Sequence, residues 1–265
     1  MNDIRVSAPE SRPKAKEVCA FLAEYSGWLF SSGATCIRLE KNVKRIAASL
    51  GMTVEMSVLP RHLHITVMDR CGRQCFTSVA PILERPVSFA INTRLSTLSW
   101  DMADGEVDFR EAQKRFCRII DTPLSSGWAV LMLVAIANAS FCRLFGGDMM
   151  AMAVVFIATA AGFALKQTLT EKHVDSRLVV IACSFVSAVL AAADGLFSLG
   201  RTPEIAIGTS VLYLVPGIPY INSFCDMLDR HYICAFGRAM NAVVITCCLS
   251  IGLCAGMLLM NVGMF

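Results

Sequence analysis

Five apolar stretches in the second half of the chain constrain its fold more than any other feature. They run approximately from 127 to 145, 149 to 165, 178 to 199, 205 to 222 and 239 to 262. Each is close to the roughly 20 residues that a helix needs to cross about 30 Å of hydrocarbon. A hydrophobic content of 55% and a mean hydropathy of +0.57 are too high for an ordinary soluble domain. The net charge of +3 gives no reason to expect a nucleic acid partner. Most Lys and Arg lie before residue 127. The expected fold is therefore an α-helical integral membrane protein of about five transmembrane helices in the lipid bilayer, with an N-terminal cytoplasmic α+β domain. The expected divisions are a flexible N-terminus (1–14), the cytoplasmic domain (15–126) and the transmembrane domain (127–265).

Charge in the connecting segments sets the expected orientation. "KQTLTEKHVDSR" carries Lys166, Lys172 and Arg177, and residues 226–238 carry Arg230 and Arg238, whereas the alternate loops hold only Arg201. The positive-inside rule then places the N-terminal region and both basic loops in the cytoplasm and the C-terminus outside. Glu17 and Glu24 interrupt the only candidate for a signal-peptide core, so none is expected. The 12 cysteines are scattered, several within the apolar stretches, which reads as reduced packing residues and not as a disulfide framework.

The fourth stretch ends in "YLVPGIPYINSFCD", residues 213–226. Proline removes a backbone donor and pushes its predecessor out of the helical region, so Pro216 and Pro219 with Gly217 predict a broken helix. Broken membrane helices are tolerated where they line a cavity or are buried in protein. Pro216, Gly217, Pro219, Tyr220, Asn222 and Ser223 are thus candidates for a substrate pathway, with Tyr213 as a further hydrogen-bonding group. A helix N-terminus near Ser223 would favour a carboxylate.

Asp226 has two readings: the acidic third residue of a capping box begun by Ser223, or a proton carrier that pairs with Arg238 in one transport state. Asp194 is a further ionisable candidate inside an apolar run. Asp148, after "FGG", reads as a helix N-cap, and Asn138 and Asn241 as interhelical hydrogen-bond partners. The Gly252 to Gly256 spacing in "GLCAG" reads as a close-packing helix face.

In the soluble region, Val18, Phe21, Leu22, Tyr25 and Leu29 fall at helical spacing, with Gly33 as a stop, and Ile37, Val43, Ile46, Ala47 and Leu50 repeat the pattern. "MTVEMSVLP", "RHLHITVMD" and "QCFTSVAPI" read as strands separated by Pro60 and a turn at "RCGR". Residues 85–94 carry no firm signal, and two more helices follow, the second capped by Asp108 and followed by Pro123. His62 and His64 share one strand face, with Cys71 and Cys75 beyond the turn. These four are weak candidates for a zinc site, and strand histidines on a wet sheet face are the competing reading. No nucleophile elbow or phosphate loop is present, so neither a catalytic residue nor a cofactor is expected. A membrane-tethered hydrolase and a ligand-sensing domain anchored by the helices are the alternatives to transport.

"SSGATCIRLEKNVKRIAASLG", "RLFGGD", "LVPGIPYINSFCDML" and "GRAMNA" resemble, in this order, the N-terminal half of the threonine/serine exporter family. The resemblance implies a secondary exporter driven by the proton-motive force, carrying small amino acids or carboxylates across the bacterial inner membrane. It is closest to the split form of the family. There a second small membrane subunit supplies the other hydrophobic half, and such a pair is associated with succinate export. Five thin spans with small-residue faces, together with the missing half, lead to the expectation of a complex with that subunit, repeated as an oligomer; the resemblance also places Asp226 within the family's proline-glycine motif.

Overall fold

In the computed structural model, the described residues are 13–69, 72, 75–83, 85–122, 126–196 and 200–261. Cys71 lies outside them, as does the side chain of Asp194. The described residues fall into two compact units. One comprises the residues up to Thr122 together with Ile221–Arg238. The other comprises the residues from 126 to Tyr220 and those from Ala239 onward. The sequence puts 221–238 wholly with the membrane region, whereas the structure gives them to the N-terminal unit.

The N-terminal unit begins with α1 (Ala15–Ser31) and α2 (Cys36–Ser49). Helix α1 stops because Gly33 adopts a φ of +97°, a conformation costly for other residues, and a Cβ there would come within 2.8 Å of Val87. Thr35 caps α2 by accepting the Arg38 N–H. Three antiparallel strands follow in the order β1 (Thr53–Val58), β2 (His62–Met68), β3 (Cys75–Pro81). Alternation decides their faces: Leu63, Ile65 and Val67 are buried, while His62 and His64 are exposed.

Helix α3 (Phe89–Ala103) starts earlier than the sequence suggests, because Ser88 caps it by accepting the Ile91 N–H. Asp108 caps α4 (Phe109–Ile120) through the Glu111 N–H at 2.7 Å. The core is conventional, built from large side chains including Leu22, Tyr25, Leu29, Leu39 and Phe116. Phe21 meets Phe109 and Phe116 edge-on at 5.5 and 5.6 Å.

In the second unit, α5 (Gly127–Leu144), α6 (Met149–Glu171) and α7 (Ser176–Leu196) are long apolar helices. Asp148 caps α6, with its carboxylate accepting the Ala151 N–H at 2.8 Å and the Arg201 N–H at 2.8 Å. Helix α8 (Pro203–Ser210) runs into one 3-10 turn (Leu212–Leu214). Helix α9 (Gly217–Leu228) then departs at 61°. Helix α10 (Tyr232–Leu259) follows. Among the described residues four helices are long and apolar enough to span a bilayer, and five if the bent pair forms one span.

Helix α10 starts seven residues before the apolar stretch expected at 239. At 1.5 Å per residue its 28 residues extend about 42 Å, beyond the hydrocarbon thickness. Small residues bring the helices close together. A Cβ at Gly252 would collide with Ser184 Oγ and the Ile181 carbonyl, and one at Gly256 would lie 2.7 Å from the Ala188 Cβ.

Candidate functional site

The two prolines begin a helix more than they end one. Pro216 lies just before α9 and Pro219 in its first turn, where a missing N–H costs nothing because that donor has no intrahelical partner. This corrects the capping-box reading. Ser223 sits inside α9, and its hydroxyl donates to the Ala235 carbonyl at 2.7 Å. Neither a helix N-terminus nor a cap lies at Ser223.

What the second half of α9 does is turn polar side chains toward the loop between α1 and α2. Asn222 donates from Nδ2 to the Gly33 carbonyl at 2.9 Å. Asp226 is fully buried, and its Oδ1 accepts the backbone N–H of Cys36, the first residue of α2, at 2.7 Å. The carboxylate therefore satisfies an orphan donor of a different helix. Arg238, on α10, brings Nη1 to 3.0 Å from Asp226 Oδ2. These two atoms are at ion-pair distance without hydrogen-bond alignment, and neither has another partner. The guanidinium is held from its other side, where Nη2 donates to the Ala34 carbonyl at 2.8 Å and Cζ stacks 4.1 Å from the centre of the Phe30 ring.

Cys36 and Cys234 complete this cluster, and the two sulfurs with an Asp226 oxygen lie within 4.8 Å of one another. These are donor atoms that a thiophilic metal accepts. The cation next to the carboxylate, however, is the Arg238 guanidinium. A hydrogen bond to Cys234, followed by burial, pushes the Cys36 thiol well above its ordinary pKa. The other metal candidates are dispersed: His62, His64 and Cys75 are exposed, and Cys71 is outside the described residues.

Tyr220 belongs to the second unit, where its hydroxyl meets Thr246 Oγ1 at 3.0 Å. Pro216 is buried there and Gly217 is exposed, with open space where a Cβ would stand. Close to the break, Asn138 donates from Nδ2 to Thr159 Oγ1 at 2.6 Å and to the Thr209 carbonyl at 3.0 Å, near the end of α8. Ser187 and Tyr213 share a hydrogen bond of 3.0 Å, and a Cβ on Gly162 would run into both hydroxyls.

The sequence singled out Asn222, Ser223, Asp226 and Arg238, and the structure brings Asn222, Asp226 and Arg238 to Gly33, Cys36 and Ala34, while Ser223 bonds to Ala235. Those three backbone groups were not foreseen as part of a site. Their signal lies in "SSGATC", the stretch between α1 and α2, which is among those that carry the family resemblance.

Over 236 residues, 87% of this chain and 89% of the relative, the protein is 27% identical to a Klebsiella aerogenes protein named probable succinate transporter subunit YjjP. The Escherichia coli K12 protein of the same name is 26% identical over 231 residues, 85% of this chain and 88% of the relative. No solved structure matches. The family model of threonine/serine exporters matches residues 20–260, and the chain belongs to that family.

Proposed function

We propose that this chain is one subunit of a secondary, proton-coupled exporter of small amino acids or carboxylates of the succinate kind. It works in the bacterial inner membrane with a second small membrane subunit that supplies the other half of the transporter, and the pair repeats as an oligomer. The N-terminal unit faces the cytoplasm. Family membership, the relatives' printed name and the apolar helices support the transport reading. The buried Asp226–Arg238 pair carries the mechanism.

A charge pair removed from water is stable only while both partners stay together, and loss of one leaves the other uncompensated at a cost of about 3–5 kcal/mol. Such a pair is a natural two-state element. The chain leaves the N-terminal unit along α9 and α10, the two helices that carry Asp226 and Arg238, and both continue into the second unit. In the proposed cycle, a proton arriving on Asp226 discharges the carboxylate and releases Arg238, which keeps its contacts with Ala34 and Phe30. Loss of the proton reforms the pair and resets α9 against the start of α2. The broken segment from Pro216 to Tyr220, with Asp194 at the far end of α7, contributes polar groups to the substrate path.

The test is Asp226→Asn in the assembled transporter, reconstituted with its partner subunit in vesicles carrying a pH gradient. Asparagine can still accept the Cys36 N–H but carries neither proton nor charge. Export should fall by roughly two orders of magnitude, as expected when a required proton-transfer group is removed. The residual rate should no longer depend on pH. Wild-type rate and pH profile in a folded Asp226→Asn variant would show that this carboxylate only anchors α2. Arg238→Gln should unfold or fail to assemble, and combining it with Asp226→Asn should restore folding without restoring transport.

A further inference from the structure

Most of the N-terminal unit keeps its apolar groups inside, but α9 and the start of α10 reverse that order. The α9 side chains turned inward are polar: Ser223 and Asp226 are buried and Asn222 is partly covered. Those turned outward are Ile221, Phe224 and Leu228, which are 64%, 62% and 68% exposed and fall at i, i+3 and i+7 along one side of the helix. The first two turns of α10 add Tyr232, Ile233 and Phe236, exposed to a similar degree. Ser223 reaches the Ala235 carbonyl, so these two stretches lie side by side as a helical hairpin. Its tip carries the exposed charges Asp229 and Arg230. Six large apolar side chains held open in one place mark a surface that something else covers.

The course of α10 identifies the cover. Ile233 and Phe236 are continued at helical spacing by Met240, Val243, Ile251 and Leu258, all exposed, while Cys234, Ala235, Ala242 and Leu249 form the buried side. The single charged residue of α10, Arg238, is turned inward to Asp226 and leaves the open stripe without a charge. The C-terminal part of this stripe belongs to a helix long and apolar enough to cross a bilayer. Its 28 residues extend about 42 Å, against roughly 30 Å of hydrocarbon and about 40–45 Å with the headgroup layers included. The stripe therefore runs from the acyl chains into a headgroup layer, and α9 accompanies its upper end. Tyr232, an apolar ring with a polar tip at the first position of α10, is a residue type favoured at that level.

We propose that lipid covers this face. The second half of α9 and the first two turns of α10 lie in the boundary between acyl chains and headgroups of the bilayer that α10 crosses, with Asp229 and Arg230 among the headgroups. Residues 226–238, which the sequence alone assigns to a cytoplasmic loop, are then seated in the membrane surface. The Asp226–Arg238 pair is closed off by lipid on the side of the hairpin and by the loop between α1 and α2 on the other. A proton bound for Asp226 has to travel through the protein, because no water stands beside α9. This seat is independent of what the chain exports.

The experiment places a photoreactive benzoylphenylalanine in place of Phe224 or Phe236 in the full chain, assembled with its partner subunit in phospholipid vesicles, and reads the adducts by mass spectrometry. Leu133, outward on α5, is the lipid-facing reference, and Val79, exposed on β3, is the water-facing one. Phospholipid adducts are expected from positions 224 and 236, as from 133 and not from 79. In a second measurement, Phe236→Cys is labelled with a water-soluble maleimide and followed in its own peptide. It should react at least about tenfold more slowly than the exposed native Cys75, because apolar surroundings raise a thiol pKa and each unit lowers the thiolate fraction tenfold.

Adducts from 224 and 236 with the partner subunit, or with a second copy of this chain, in place of phospholipid would give the face a different occupant and overturn the proposal. Labelling of Phe236→Cys as fast as Cys75 would put the hairpin in water and overturn it as well.

Discussion

The two units solve the problem of packing a core with opposite materials. In the N-terminal unit the interior is made of the largest side chains, and Leu22, Tyr25, Leu29, Ile46 and Phe116 are wholly or almost wholly covered. In the membrane unit small residues make up much of the covered interior, with Ala135, Ala139, Ala151, Ala158, Ala188, Ala191, Ala192, Ala206, Cys142 and Cys183 beside a smaller set of larger ones that includes Val155, Val179, Ile207, Leu214 and Leu249. Many of its large residues point outward, among them Trp128, Leu133, Ile136, Phe141, Ile157, Ile251 and Leu258. Where water surrounds a fold, burial of apolar area is the driving force, and a core of large side chains such as that of the first unit suits it. Lipid removes that force, so helices associate through close backbone approach, and small residues at the contacts permit it.

This contrast predicts opposite sensitivities, and volume is the sharpest way to break it. Gly252→Leu should have the largest effect of all, because even a Cβ there collides with Ser184 and Ile181 on α7. Its expected outcome is loss of folded, monodisperse protein on size-exclusion chromatography of the solubilised chain. In the N-terminal unit the damage comes from removing volume, and Leu22→Ala should cost about 2–5 kcal/mol in denaturant titration. The mirror change in the membrane unit, Leu133→Ala on the outward face of α5, should stay within about 0.5 kcal/mol. A Gly252→Leu chain as stable as wild type would undo the comparison.

Buried polar groups sharpen it at a smaller scale. Asn138→Ala removes the donor to the Thr209 carbonyl and to Thr159, at a depth where water cannot replace it, and should cost about 1–3 kcal/mol. Asn42 has a similar role between α2 and α3, where it donates to Ser96 Oγ at 3.0 Å and accepts from Arg45. Asn42 is as covered as Asn138, but its partners Ser96 and Arg45 are partly exposed and can turn to water, so Asn42→Ala should cost about 1 kcal/mol or less. Equal losses in paired melting experiments would mean that water reaches the break beside α8.

Much of the architecture was legible because period and length are local properties. The alternation of Leu63, Ile65 and Val67 against His62 and His64 identified a half-buried strand, and the caps at Asp108 and Asp148 followed from their positions. The start of α3 was not legible, since Ser88 caps it within a stretch without periodicity. Nor was the true start of α9, because a proline in the first turn of a helix has the same sequence signature as one that breaks it. The candidate site was legible only in pieces. Asp226 and Arg238 are twelve residues apart and their pairing was an open option, but Cys36 lies 190 positions from Asp226. No local pattern reports which backbone N–H a buried carboxylate will find. What linked the pieces before the structure was that each fell in a stretch resembling the same family.

The smallest expected effect concerns two helix-capping aspartates, one from each unit. Asp108 accepts a single backbone N–H, that of Glu111, whereas Asp148 accepts two, from Arg201 and Ala151. Those two donors, Arg201 first, hold the Asp148 carboxyl below the usual carboxylate range. Because its folded pKa lies below its unfolded value of about 3.9, its contribution to stability is complete above that value. The contribution is lost as the pH falls through the folded pKa. Between pH 7 and 5 the Arg201 and Ala151 amides should therefore keep constant protection in hydrogen exchange, after correction for intrinsic rates. Protection of both should fall together below about pH 4. Asp148→Asn should lower protection at neutral pH and abolish the acid limb, because the amide oxygen accepts a hydrogen bond without titrating. A wild-type protection profile that stays flat into strong acid would show that the Arg201 turn is held by its other contact, the hydrogen bond from the Asp148 N–H to Thr202.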